Sequence, residues 1–127
     1  ITELDLPVRT IVFELDWEAV RQVPVPVAKP VPEFPTSRRD ISVVVEESVP
    51  AETLRKAVFT AAPATLREVK LFDVYRGENL GTTFKSMALG LIFQDYSRTL
   101  TDEDVDSAVE RVKLELAAEF GATERQQ

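Results

Sequence analysis

"LREVKLFDVYRGENLGTTFKSMALGLIFQ", Leu66 to Gln94, sets two runs rich in β-branched, aromatic and aliphatic residues on either side of a glycine-bearing loop. Runs of this composition read as strands, and so short a connection suits an antiparallel pair. In the second run Ser86, Ala88 and Gly90 alternate with Met87, Leu89 and Leu91. Side chains alternate across a strand, so the large residues belong in a core and the small ones on the opposite face. In the first run Phe72 and Val74 are expected toward the core, with Asp73 and Tyr75 pointing outward beside Ser86. The loop superficially suggests a phosphate cradle, with two glycines followed by Lys85 and Ser86. A P-loop, however, places its Lys and Ser or Thr directly after the second glycine, at a helix N-terminus. Here Thr82, Thr83 and Phe84 intervene and a strand follows, so the phosphate geometry is lost.

Outward from this hairpin the elements come in a readable order. "RDISVVVEE", Arg39 to Glu47, is a strand with Ile41, Val43 and Val45 on one face and Asp40, Ser42 and Val44 on the other. Pro50 then opens a helix whose Leu54, Ala57, Val58 and Ala61 form one apolar stripe, and Pro63 ends it. After the hairpin, Thr101 caps a second helix with three acidic residues in its first turn, and Gly121 closes it. Val105, Val109, Val112, Leu116 and Phe120 give its buried stripe, and "ATER" leaves room for a short last strand. The order βαββα with a final β predicts an α+β, ferredoxin-like βαββαβ sandwich, an antiparallel sheet with two helices on one face. The other face of the sheet is free, and function is expected there.

Before this domain, "VRTIVFELD", residues 8–16, reads as a strand and "DWEAVRQV" as a short helix. The boundaries expected are a remnant of a preceding module at 1–23, a proline-rich linker at 24–35 and the ferredoxin-like domain at 36–127. The linker carries Pro24, Pro26, Pro30, Pro32 and Pro35, which fix φ and extend the backbone. The absence of an initiator Met suggests that the chain is cut from something larger.

Composition removes whole classes of chemistry. With no cysteine and no histidine, disulfides, Cys/His zinc sites, thiol nucleophiles and His-based triads are all excluded. An unstapled fold in the cytoplasm is expected, with no membrane partner. A net charge of −7 argues against bulk electrostatic binding of nucleic acid, and no DNA partner is expected. Paired carboxylates at Glu46 and Glu47, and at Asp102, Glu103 and Asp104, fall at a strand end and in a helix's first turn, where solvation and capping explain them.

The free sheet face is more informative. A tyrosine ring offers a stacking platform for a base, while a carboxylate and a serine can read donors and acceptors on base edges. Tyr75, Asp73, Ser86 and Ser42 fit that description. An exposed tyrosine with an aspartate capping the next turn fits the same residues, so the residues alone reach a ferredoxin-like binding module.

At these residues a family comes into view. "FPTSRRDISVVV", "LFDVYRG", "KSMALGLIF", "RTLTDEDV" and "EFGATER", in this order and spacing, closely resemble the C-terminal anticodon-binding domain of the bacterial phenylalanyl-tRNA synthetase β subunit. The resemblance runs from about Phe34 to Arg125, and residues 1–30 look like the end of the catalytic-like core that precedes this domain. It implies a fold related to RNA-recognition modules, a sheet face that contacts the anticodon of tRNA(Phe), and a domain that is not itself an enzyme. Asp73 and Tyr75 are the implied anticodon contacts, Tyr75 stacking on the first anticodon base, with Ser86 and Ser42 as polar contacts. Arg39, Lys85 and Arg98 are candidates for backbone phosphate, or, for Arg39 and Arg98, structural ion pairs with Asp40 or the acidic helix start. The implied partners are tRNA(Phe), the rest of the β subunit and the α subunit. No cofactor is implied for the domain, whereas the whole phenylalanine–tRNA ligase uses ATP and Mg²⁺. A small-molecule-sensing regulatory domain and a purely structural domain are the competing readings.

Overall fold

The computed structural model describes residues 10–28, 31–77 and 80–124. Close contacts divide the chain into two units, Ile1–Val31 and Pro32–Gln127. In the first, a one-turn helix α1 (Trp17–Arg21) is capped by Asp16, whose carboxylate accepts from the Glu18 backbone N–H at 2.9 Å. No strand forms over residues 10–16, contrary to the expectation for "VRTIVFELD"; Val8 and Arg9 lie outside the described residues. A strand's hydrogen bonds are made by a neighbouring strand, and none lies alongside among the described residues, so β-propensity alone does not produce one.

The second unit holds β1 (Ser37–Glu46), α2 (Ala51–Ala61), β2 (Leu66–Tyr75), β3 (Phe84–Phe93), α3 (Asp102–Phe120) and β4 (Thr123–Glu124). The strands form one sheet in the order β2-β3-β1-β4, with every pairing antiparallel. Each helix therefore crosses between strands that are not sheet neighbours, the ferredoxin-like arrangement expected from the order of elements.

The core lies between the sheet and the two helices. Ile41, Val43 and Val45 of β1 and Met87, Leu89 and Leu91 of β3 are all buried, as the alternation in both strands requires. Leu54 and Val58 of α2, and Val112 and Leu116 of α3, meet them from the helix side. Burying such side chains stabilises by about 1.5–3 kcal/mol each.

Local chemistry sets the helix ends. Pro50 occupies the N-cap of α2 in extended geometry and makes no side-chain cap bond, so proline's fixed φ rather than a hydrogen bond starts this helix. α3 begins with a capping box. The Thr101 hydroxyl accepts from the Asp104 backbone N–H at 3.2 Å, and Asp104 accepts in return from the Thr101 N–H at 2.9 Å. It ends at Gly121 in the left-handed conformation, φ 61°, which costs glycine little. The chain then turns into β4, which pairs with β1 at Val43 and Val44.

Candidate nucleic-acid interface

Strand parity and register assemble the face opposite the helices. Tyr75 lies opposite Ser86, and Ser86 opposite Val44; in the next row Asp73 lies opposite Ala88, and Ala88 opposite Ser42. The four residues expected on one surface are thus in two adjacent rows of three strands. Ser42 and Ser86 sit on a diagonal, and their hydroxyl oxygens are 3.0 Å apart in a hydrogen bond. Ala88 leaves a methyl-sized floor between the Asp73 carboxylate and the Ser42 hydroxyl. Ser86 is only 3% exposed although it belongs to this face; its place on the central strand β3, with side chains of β1 and β2 on either side, accounts for that.

Tyr75 stands at the end of β2 and is 36% exposed. Its ring folds over Gly77, where any Cβ would overlap the phenol. Glycine here makes room for the tyrosine, a close approach rather than an unusual φ.

Phe72 departs from the expected pattern. The β2–β3 register slips between Leu71 and Asp73, so Phe72 is an extra residue, and it is 53% exposed instead of facing the helices. A bulge of this kind breaks the alternation locally. Val74 returns to the core side, opposite Met87 and half-buried against the core. The Phe72 ring lies 5.5 Å from the Arg38 guanidinium carbon, within cation–π range. Arg38 in turn donates to Asp40 at 2.7 Å and 3.3 Å. Both reach across Gly90, where a Cβ would come within 3.1 Å of the Arg38 Nη2 and of the Asp40 Oδ1.

The three basic residues singled out in the sequence are engaged inside the domain. Arg39, on the helix side of β1, donates to Asp102 at 2.6 Å and to Asp106 at 2.9 Å; its partners lie on α3, and Asp40 goes to Arg38 instead. Asp102 first, then Asp106, hold the Arg39 guanidinium above its ordinary pKa. Arg98 donates to Asp104 at 2.6 Å and 3.0 Å. That contact, with the Thr101 N–H and hydroxyl, keeps the Asp104 carboxyl well below the usual carboxylate range. Lys85 is buried, and its ammonium donates to the Glu47 carbonyl at 2.7 Å. Arg76 makes a forked pair with the Glu47 carboxylate, with contacts at 2.9–3.1 Å, and lowers its pKa.

Asp40 was placed on this face from the sequence, whereas Arg38, Phe72 and Gly77 were not. Arg38 was within reach, since it shares parity with Asp40 and Ser42 on β1; Phe72 was not, because a bulge leaves no periodic signal. Among the described residues no group of three or more His, Cys, Asp or Glu is placed to hold a metal ion, and a metal role is assigned to none of them. No helix among the described residues is long and apolar enough to cross a membrane.

An open four-stranded sheet, two helices behind it, and a tyrosine, a carboxylate and two serines in front are features that comparison with known families can place. Residues 32–125 match the ferredoxin-fold anticodon binding domain family. The chain belongs to that family. The chain is 41% identical over 120 residues to the phenylalanine–tRNA ligase beta subunit of Pasteurella multocida (strain Pm70), covering 94% of this chain and 15% of that protein. It is 40% identical over 128 residues to the beta subunit of Moorella thermoacetica (strain ATCC 39073 / JCM 9320), covering 99% of this chain and 16% of that one. Against the beta subunit of Dickeya dadantii (strain 3937) the identity is 41% over 123 residues, 97% of this chain and 16% of the relative. The anticodon-binding domain and the segment before it therefore span about one-sixth of the length of these curated relatives.

Proposed function

We propose that the open sheet face reads the anticodon of tRNA(Phe), and that it does so for a phenylalanine–tRNA ligase of which this chain is one part. The observation that carries this reading is the grouping of Tyr75, Asp73, Ser86 and Ser42 in two adjacent rows, on the face that the helices leave open. Tyr75 stacks on an unpaired base, the first of the anticodon. Base–aromatic stacking contributes about 1–3 kcal/mol and tolerates any base, so selectivity must come from the neighbours. An ionised carboxylate only accepts hydrogen bonds, so Asp73 favours a base edge that presents N–H donors; Ser42, whose hydroxyl is bonded to that of the buried Ser86, can donate or accept, and Ser86 acts through it. Arg39 and Arg98 serve the scaffold, with their carboxylate partners at 2.6–3.0 Å, and Lys85 does the same through the Glu47 carbonyl.

Recognition of this kind is not catalysis. The activation of phenylalanine with ATP and Mg²⁺ and its transfer to tRNA would fall to other parts of the ligase, including the remainder of the β subunit and the α subunit, in the cytoplasm. The test is a titration of this chain with the tRNA(Phe) anticodon stem-loop and with a loop in which all three anticodon bases are changed, using wild type and Tyr75→Ala at two salt concentrations. The native loop should bind more tightly, the preference should disappear with Tyr75, and salt dependence should be moderate. Equal, weak and steeply salt-dependent binding to both loops would overturn the assignment.

A further inference from the structure

A second aromatic station lies farther along the same sheet face. Phe72 is placed on the surface by a β-bulge and is more than half exposed. The Arg38 guanidinium stands 5.5 Å from its ring and is fixed by a forked contact with Asp40 at 2.7 Å and 3.3 Å. Gly90 beneath has no side chain, and a Cβ there would crowd both Arg38 and Asp40. Three local features thus converge on one arrangement: an extra residue in β2, a glycine in the central strand, and a carboxylate that orients a planar cation. Packing of the core explains none of them, because all four residues lie on the face away from the helices.

We propose that Phe72 and Arg38 form a second stacking platform, which takes a further unpaired base of the same RNA strand whose anticodon base stacks on Tyr75. This rests on the anticodon reading above and deepens it. An aromatic ring and a guanidinium plane are the two protein surfaces on which unpaired RNA bases stack, and Asp40 holds the guanidinium in place while partly offsetting its charge. Phe72 is three residues from Tyr75 along β2, and Gly90 is four from Ser86, the partner of Tyr75, along β3; at about 3.3 Å per residue the two stations are roughly 10–13 Å apart. Stacked bases rise by about 3.4 Å, so the second base is not the immediate neighbour of the first in a continuous stack. The sheet would therefore hold the loop at two separated points, and the bases between them would be splayed across Ala88 and the serines.

The experiment compares wild type, Phe72→Leu, Phe72→Tyr and Arg38→Lys in binding to the tRNA(Phe) anticodon stem-loop, and to the loop with all three anticodon bases changed, across a salt series, with circular dichroism to confirm that each variant folds. Phe72 and Arg38 are both exposed, so folding should be retained. Loss of about tenfold in affinity for Phe72→Leu, near-full recovery in Phe72→Tyr, and a several-fold loss in Arg38→Lys with the salt slope unchanged would support the platform. If wild type prefers the native loop and Phe72→Leu binds within twofold of it, the platform is wrong while the anticodon reading stands. If wild type shows no preference for the native loop, the anticodon reading fails and the platform falls with it.

Discussion

The Tyr75 ring occupies the space where a side chain on Gly77 would begin. Two residues apart in sequence, one is large because the other is absent. Gly77→Ala would push the ring off its seat. The backbone there does not use positive φ, which among the glycines is found at Gly81 and Gly121, so the cost to folding should be small, below about 1 kcal/mol. Affinity for the anticodon stem-loop should nevertheless fall several-fold, because the platform loses its preset orientation. Paired urea unfolding and stem-loop titration would separate the two effects; a large stability loss with unchanged affinity would contradict this account.

Gly121 presents the opposite case. No atom would obstruct a Cβ, but φ is 61°, a conformation that costs a residue with a side chain about 1–2 kcal/mol. Gly121→Ala should lower the urea midpoint accordingly, and Gly121→Asn should lower it less. Equal stability of all three chains would show that the helix ends differently.

Arg39, Arg98 and Lys85 separate a scaffold role from a phosphate role. Removing a cation that touches phosphate reduces the salt slope of binding by about 1. Arg39→Ala should leave that slope unaltered while weakening the fold, because Asp102 and Asp106 lose the partner they share. Lys85→Ala should behave alike, since the buried ammonium serves the Glu47 carbonyl. A slope that drops by a full unit in either variant would reassign that residue to RNA contact.

Acid should weaken the domain in part through Asp104. Its folded-state pKa lies below the ordinary value of 3.8, chiefly because of Arg98 and then the Thr101 cap. A depressed carboxyl binds fewer protons when folded than when unfolded, so its contribution is fully present above the ordinary carboxylate range. It is lost as pH falls below about 4 toward the folded value. Asp104→Asn can still cap the helix but cannot titrate there. Its urea midpoint should therefore fall less than that of wild type between about pH 5 and pH 2.5. Parallel curves for the two proteins would rule out the linkage.

The parts of the fold legible in the sequence are those governed by short periods. The alternation of β1 and β3 placed Ile41, Val43 and Val45, and Met87, Leu89 and Leu91, correctly inside, and Thr101 and Gly121 mark both ends of α3. Phe72 was misplaced because one inserted residue reverses parity without changing composition. Residues 8–16 have the composition of a strand, but pairing is a property of two segments, and the described residues supply no second one. Asp102, in the acidic start of α3, was among the partners expected for Arg39, but Asp106 was beyond reach. That contact depends on how α3 lies across the sheet, which brings Asp106 near β1 from sixty-seven residues away.

Internal pairing of Arg39, Arg76, Arg98 and Lys85 in a chain of net charge −7 has a kinetic side. With these four cations engaged inside it and its net charge negative, the domain projects little attractive field toward a polyanion. Encounters with RNA would then proceed at an unsteered rate of about 10⁵–10⁶ M⁻¹ s⁻¹. Right and wrong loops would arrive equally often, and would be told apart by how long each one stays.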